Sequence, residues 1–317
     1  MFFEDELQEL RRSGWTPAAF AHYVRRAGAH IRGHLDANPG AVRSMWLTAI
    51  GFFAATFIMA AIMSSAYDRD LAVEFFAQTS WWILLTFACL TLNIDLLRNR
   101  DGVMLSGLNV PIVLTLARVV LVPGIALFLT RGHYFLAFAT YLFAALTDVA
   151  DGWIARRWDQ QTRIGTVMDP LVDIVFSFAL FMALSASGLL PLWVMIVAAL
   201  RYSILLVGGT YLYLFVGPLR IQPTTFGRMT GVLMSTLIGL LVLAHALRGP
   251  VHDTLAPLTE VALGVLMAAT VVYVYALGWV NLRRMTGRAA ATPGRVVGDV
   301  RWDTPPSRAS GDEQRRA

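Results

Sequence analysis

The stretch TDVADGWIARRWDQQTRIGTVMDPLVD, residues 147–173, decides how the rest of the chain is read. It places Asp148, Asp151, Asp169 and Asp173 beside runs apolar enough to belong in lipid. A carboxylate inside a membrane segment is costly, and where it occurs it faces a partner or a polar cavity. Asp148, Asp151 and Ala155 follow one another at spacings of three and four, which puts them along one helical face. Asp169 and Asp173, four apart, share a face of the next helix. The eight residues between Arg156 and Gly165 suffice for a tight turn. Two helices then present two carboxylates each to one another, just inside the membrane.

Four carboxylates in a partly dry site repel one another, and a divalent cation removes that problem. Ligation by carboxylates alone selects a hard cation, Mg2+ or Mn2+, over zinc. Four such groups can hold two ions, an arrangement suited to phosphoryl chemistry. Gly152 lets a ligand approach the backbone, Ala155 leaves space beside it, and Arg156 is placed to meet phosphate oxygens.

The surroundings agree with a membrane setting. Of the 317 residues, 56% are hydrophobic and 15% charged, and the mean hydropathy is +0.58, too apolar for an ordinary soluble protein. Eight runs approach the roughly 20 residues that a spanning helix needs. They fall near 44–66, 79–97, 110–130, 133–156, 166–188, 190–215, 228–247 and 258–282. Long continuous apolar runs choose helices over a barrel. There is no lysine, so every basic side chain is arginine or histidine. Arginines crowd the N-terminal segment, the second, fourth and sixth connections and the tail. That bias predicts both termini and the acidic site on the cytoplasmic side of a plasma (inner) membrane. It also accounts for the net charge of +5 without nucleic acid.

The expected organisation is therefore all-α and integral to the membrane. Residues 1–43 form an amphipathic region, 44–104 two additional spans, 105–284 a six-helix catalytic unit and 285–317 a disordered tail. The Pro-, Gly- and charge-rich composition of the tail motivates the last assignment. The start, acidic before it is basic, is not a secretory signal.

The pattern Asp148-x2-Asp151-Gly152-x2-Ala155-Arg156-x8-Gly165-x3-Asp169-x3-Asp173 resembles the signature of the CDP-alcohol phosphatidyltransferase family at every position. LNVPIVLTLARVVLVP, residues 108–123, resembles that family's first core helix, with Asn109, Pro111, Thr115 and Arg118 in place. PTTFGRMTG, residues 223–231, is similar to a later stretch, with Gly227-Arg228 where the glycerol-phosphate branch has Gly-Lys. The resemblance spans roughly residues 105–282 and leans toward the phosphatidylglycerophosphate and cardiolipin-type branch.

It implies a six-helix core in which a CDP-linked lipid gives its phosphatidyl group to an alcohol and releases CMP. It implies metal ligation by Asp148, Asp151, Asp169 and Asp173, with two Mg2+ or Mn2+ ions held, and Asp173 also the general base. Asn109, Thr115, Arg118, Gly152, Ala155, Arg156 and Gly165 fall to the CDP moiety. Arg163, Arg201 and Arg228 are candidates for the acceptor, best read as glycerol 3-phosphate. A homodimer is a further implication. One departure stands out: Ile174 follows the last aspartate, where branches with phosphorylated acceptors often carry Lys or Arg. Serine, inositol phosphate or another alcohol remain alternatives, as does transfer from a CDP-alcohol to diacylglycerol. A cation transporter also places carboxylates among spans, but it has no need of the Gly-x2-Ala-Arg part.

Elsewhere the bland readings lead. Cys89 is expected as a buried small hydrophobe. Asp95 is expected at a span end, apart from the site. The six histidines share no face near the site, and the tryptophans at span ends read as interfacial anchors.

Overall fold

In the computed structural model the described residues are 16–99, 102–160, 162–215, 225–247 and 250–291. They form helices α1 (Pro17–Ala37), α2 (Pro39–Ala66), α3 (Arg69–Leu92), α4 (Val110–Thr130), α5 (Tyr134–Arg157), α6 (Arg163–Ala186), α7 (Leu192–Phe215), α8 (Thr225–Ala246) and α9 (Pro250–Ala291). A single 3-10 turn, Ile94–Leu96, follows α3. The chain divides into two units, Met1–Val271 and Val272–Ala317. The described part of the second is the end of α9.

Among the described residues, six helices are long and apolar enough to cross a membrane: α2, α3, α4, α5 and the segments Met229–Ala246 and Val251–Ala276. Leu171–Ala186 and Leu192–Val207 are shorter apolar stretches. The chain is an all-α, multi-pass membrane protein. Its outward faces carry apolar side chains such as Phe57, Trp81, Val149, Val232 and Val265, the reverse of a soluble surface.

α4 is the central helix. Of its apolar window 61% is buried, against 22–33% for the other five. It packs against α3, α5 and α6, with a smaller contact to α2. Asn109 caps its start, accepting from the Ile112 amide at 3.3 Å. Pro123 lies inside α4, so the Val119 carbonyl loses its intrahelical donor. The indole N–H of Trp82, on α3, donates to that carbonyl at 2.8 Å and restores the pairing. Gly124 lets α3 approach, since a Cβ there would lie 2.8 Å from the ring of Phe75. Further out, the Tyr141 hydroxyl on α5 lies 2.6 Å from the Ser235 carbonyl, tying α5 to α8.

Several boundaries differ from expectation. The second span is helix over 69–92, not 79–97. Asp68 caps it by accepting from the Leu71 amide, so Asp70 and Glu74 belong to its first turns rather than to a loop. Asn93 ends it, and the amide side chain of Asn93 donates to the Cys89 carbonyl. The last helix continues to Ala291, beyond 284; residues 292–317 lie outside the described ones, as do 1–15. Cys89 is exposed rather than buried, because the outward face of α3 is itself apolar. Asp95 lies just past the end of α3, near a span end as expected, and is buried at 6% exposure. It sits 3.0 Å from an Arg98 nitrogen and 3.6 Å from His34 Nε2 on α1. Trp46, Trp153 and Trp193 are exposed, as anchors require.

Replacing Trp82 by Phe keeps the ring but leaves the Val119 carbonyl unpaired, which costs about 1 kcal/mol. Thermal unfolding in detergent should show a lower midpoint for Trp82→Phe and none for Trp81→Phe, whose side chain faces outward. Equal midpoints for the two variants would contradict the assignment.

Candidate active site

The site forms where the start of α4, the end of α5 and the start of α6 meet. α5 packs closely on α4, and α6 packs on the same helix. Arg118, two turns into α4, is 4% exposed and aims at the carboxylates of both neighbours. Its Nη2 lies 2.5 Å from Asp148 Oδ1 and 2.6 Å from Asp151 Oδ2. Its Nη1 donates to Asp173 Oδ1 at 2.9 Å. The Thr115 hydroxyl, one turn earlier, lies 3.1 Å from Asp151 Oδ2 and 3.0 Å from the Pro111 carbonyl. Arg118 and Asp151 therefore form the floor. The side chains of Asp148 and Asp173 are 55% and 63% exposed and form the rim. Asp169 is exposed and, among the described residues, makes no ion pair.

The turn between α5 and α6 is built by specific bonds. Asp159 adopts φ 49°, the left-handed conformation that closes a helix and that Asp tolerates better than most residues. The Gln160 amide then donates back to the Ala155 carbonyl at 3.0 Å, the six-to-one bond of a Schellman ending. Asn109 Nδ2 donates to the Gln160 carbonyl at 2.8 Å, so the cap of α4 also holds this turn. Thr162 caps α6 by accepting from the Gly165 amide at 3.1 Å. At Gly152 a Cβ would lie 3.3 Å from an Arg156 nitrogen, so glycine leaves room for that guanidinium over the α5 backbone.

Arg201 stands apart from this network. It is half-buried, with Nη1 3.4 Å from the Met234 sulfur and 3.8 Å from the Met267 sulfur. Its guanidinium lies 5.3 Å from the centre of the Tyr202 ring. Among the described residues its Nε is buried without a hydrogen-bond partner, and none of them gives it the expected polar surrounding. The Tyr202 ring packs edge-on against Phe178, beyond Asp173 on α6, which ties this region to that helix. The side chains of Arg163 and Arg228 lie outside the described residues.

Sequence reasoning assigned Arg118 to the nucleotide and missed its three carboxylate partners. No spacing rule pairs residues across helices, although a lone arginine in the apolar run 108–123 signals a buried counter-charge. It also missed Thr162, whose signal is a Thr three residues before Gly165 at a helix start.

The donor set is oxygen only and sets four carboxylates against one guanidinium. By chemistry these residues fit a hard divalent cation. Among the described residues no group of three His, Cys, Asp or Glu side chains is spaced to hold an ion. Arg118 stands among three of the carboxylates instead.

In an all-α membrane protein, three carboxylates gathered on one buried arginine mark a functional site. Residues 108–280 match the family model described as CDP-alcohol phosphatidyltransferase. The chain belongs to that family and is a phosphatidyltransferase. It is 34% identical over 131 residues to the CDP-diacylglycerol--glycerol-3-phosphate 3-phosphatidyltransferase of Aquifex aeolicus, covering 40% of this chain and 72% of that one. It is 34% identical over 170 residues to a probable phosphatidylglycerophosphate synthase of Mycobacterium tuberculosis, covering 51% and 75%. It is 35% identical over 139 residues to a probable cardiolipin synthase (CMP-forming) of Drosophila melanogaster, covering 43% of this chain and 41% of that one. No solved structure matches the chain. Members of the family use a divalent metal.

Proposed function

We propose that the chain transfers the phosphatidyl group of CDP-diacylglycerol to a hydroxyl of glycerol 3-phosphate and releases CMP. The observation that carries this reading is the meeting of Asp148, Asp151 and Asp173 on Arg118, in a chain whose family signature is complete. Two relatives bear names for this same reaction.

In this reading Asp148, Asp151, Asp169 and Asp173 would hold Mg2+ or Mn2+, two ions in all. The metal would supply positive charge to the phosphate oxygens when bound. The chain's own residues do the rest. Asp173 accepts the proton of the acceptor hydroxyl, whose pKa of about 16 makes it a poor nucleophile at neutral pH. The acceptor oxygen bonds to the phosphatidyl phosphorus, the pyrophosphate linkage breaks, and its electron pair leaves on CMP. Arg118 holds the base in place through Asp173 Oδ1. Gly152, Ala155, Arg156 and Gly165, with Asn109 and Thr115 beside the turn, bind the CDP moiety. Arg201 meets the acceptor phosphate, aided by Arg163 and Arg228. A half-buried guanidinium whose contacts among the described residues are sulfurs and a ring is a costly arrangement, and an anion relieves it. The arginine bias of the connections supports a cytoplasmic site and cytoplasmic termini.

A second acceptor, phosphatidylglycerol, is favoured by one observation. Ile174 packs against the apolar core where a basic residue would suit a phosphomonoester, and cardiolipin synthases are among the relatives.

Purified protein with Mg2+ and CDP-diacylglycerol should release CMP when glycerol 3-phosphate is added. Asp173→Asn should keep the fold and lose about 10²–10⁴-fold in turnover. Release with phosphatidylglycerol alone would reassign the acceptor, and near-normal turnover in Asp173→Asn would remove it as the base.

A further inference from the structure

The first hundred residues have no part in the family signature, yet they reach its turn. Ile164, between Arg163 and Gly165, is 1% exposed. It belongs to a buried cluster with Ile112 and Leu116 of α4, Ala41 and Met45 of α2, Ile83 and Phe87 of α3, and Ile94 and Leu97 beyond it. The start of α6 is therefore seated in a core that α4 and the N-terminal helices build together.

A second contact reaches the residue before it. The backbone of Asn99 pairs with Thr162 in an isolated antiparallel bridge. Asn99 is fixed in turn: its amide donates to the Val103 carbonyl at 2.9 Å, and its side-chain oxygen accepts from the Val103 amide at 2.9 Å. Arg98 closes the same loop, donating from Nε to the Asp95 carbonyl at 3.1 Å and from Nη1 to the Gly102 carbonyl at 3.2 Å. The buried carboxylate of Asp95 holds Arg98 at 3.0 Å and faces His34 of α1 at 3.6 Å. A continuous set of contacts thus runs from α1 through Asp95, Arg98 and Asn99 to Thr162, whose hydroxyl caps Gly165.

We infer that residues 16–105 form a positioning unit for the turn that binds the CDP moiety, with Ile164 and Asp95 as its two positioning residues. The unit sets the Thr162 cap and the Gly165 amide, and so the affinity for the nucleotide end of the donor. It does not act on Arg201 or on the acceptor. This rests on the reading of Gly165 as part of the CDP site. Neither Ile164 nor Asp95 touches substrate in this account.

The test uses the full chain in detergent with Mg2+. Ile164→Ala, Ile164→Val and Asp95→Asn are compared with the unaltered protein for KM of CDP-diacylglycerol, KM of glycerol 3-phosphate, kcat and amide hydrogen exchange over residues 158–168. Ile164→Ala and Asp95→Asn should raise the donor KM about tenfold and speed exchange in that segment. The acceptor KM should stay within about twofold, and Ile164→Val should restore most of the donor affinity. Equal changes in both KM values, or loss of kcat alone, would overturn the inference, as would unchanged exchange over 158–168. Asp95→Asn leaves the apolar cluster intact and carries the test if Ile164→Ala does not fold. Absence of CMP release by the unaltered chain would instead be a failure of the proposed function. The exchange measurement still judges the positioning unit in that case.

Discussion

A carboxylate buried among apolar helices must be matched by positive charge, and here one guanidinium matches three. Arg118 is held inside the central helix and touches Asp148, Asp151 and Asp173 across two other helices. The arrangement of α4, α5 and α6 follows from this, because none of the three can shift at the site end without uncovering charge. Breaking such a contact at the buried end leaves Asp151 uncompensated, which in general costs about 3–5 kcal/mol. The rim carboxylates are more than half exposed and are worth far less to stability. Their openness is what a charged substrate and a divalent cation require.

Packing converts this electrostatic demand into geometry. Pro123 removes a hydrogen bond from α4, Trp82 of α3 replaces it, and Gly124 lets α3 come close. α3 is thereby fixed against α4 at the level of the membrane interior. Its far end leads into the 94–105 loop, which reaches the turn before α6. The same central helix begins with Asn109, which caps α4 and holds Gln160 together. The nucleotide-side turn is thus bound on one side by α4 and on the other by the N-terminal helices.

Much of this was legible in residues 147–173. The three- and four-residue spacings put the aspartates on facing helices, and the structure brings Asp148, Asp151 and Asp173 onto one cation. Gly152 and Gly165 each sit where a side chain would press on a neighbour. Other features depend on tertiary contacts that no local pattern encodes. The target of Arg118 required knowing which helices touch. Asp95 was readable as a span-end residue but not as a buried one, because its burial depends on pairing with Arg98 and His34. Cys89 was misjudged because a membrane protein turns apolar residues outward as well as inward. The start of α3 was placed late because the acidic residues after its Asp68 cap resemble a loop to a hydropathy window. The acidic site sits on short-range spacing and was readable; the N-terminal unit sits on long-range packing and was not.

The most direct test of the charge-balance account is thermal unfolding of metal-free Arg118→Gln beside the unaltered protein, each then repeated with Mg2+. The account predicts a lower midpoint for the metal-free variant and a larger Mg2+-induced rise in it, because added cations take over part of the lost compensation. Equal midpoints without metal, or equal rises with it, would mean that Arg118 does not hold the carboxylates in solution and would contradict the account.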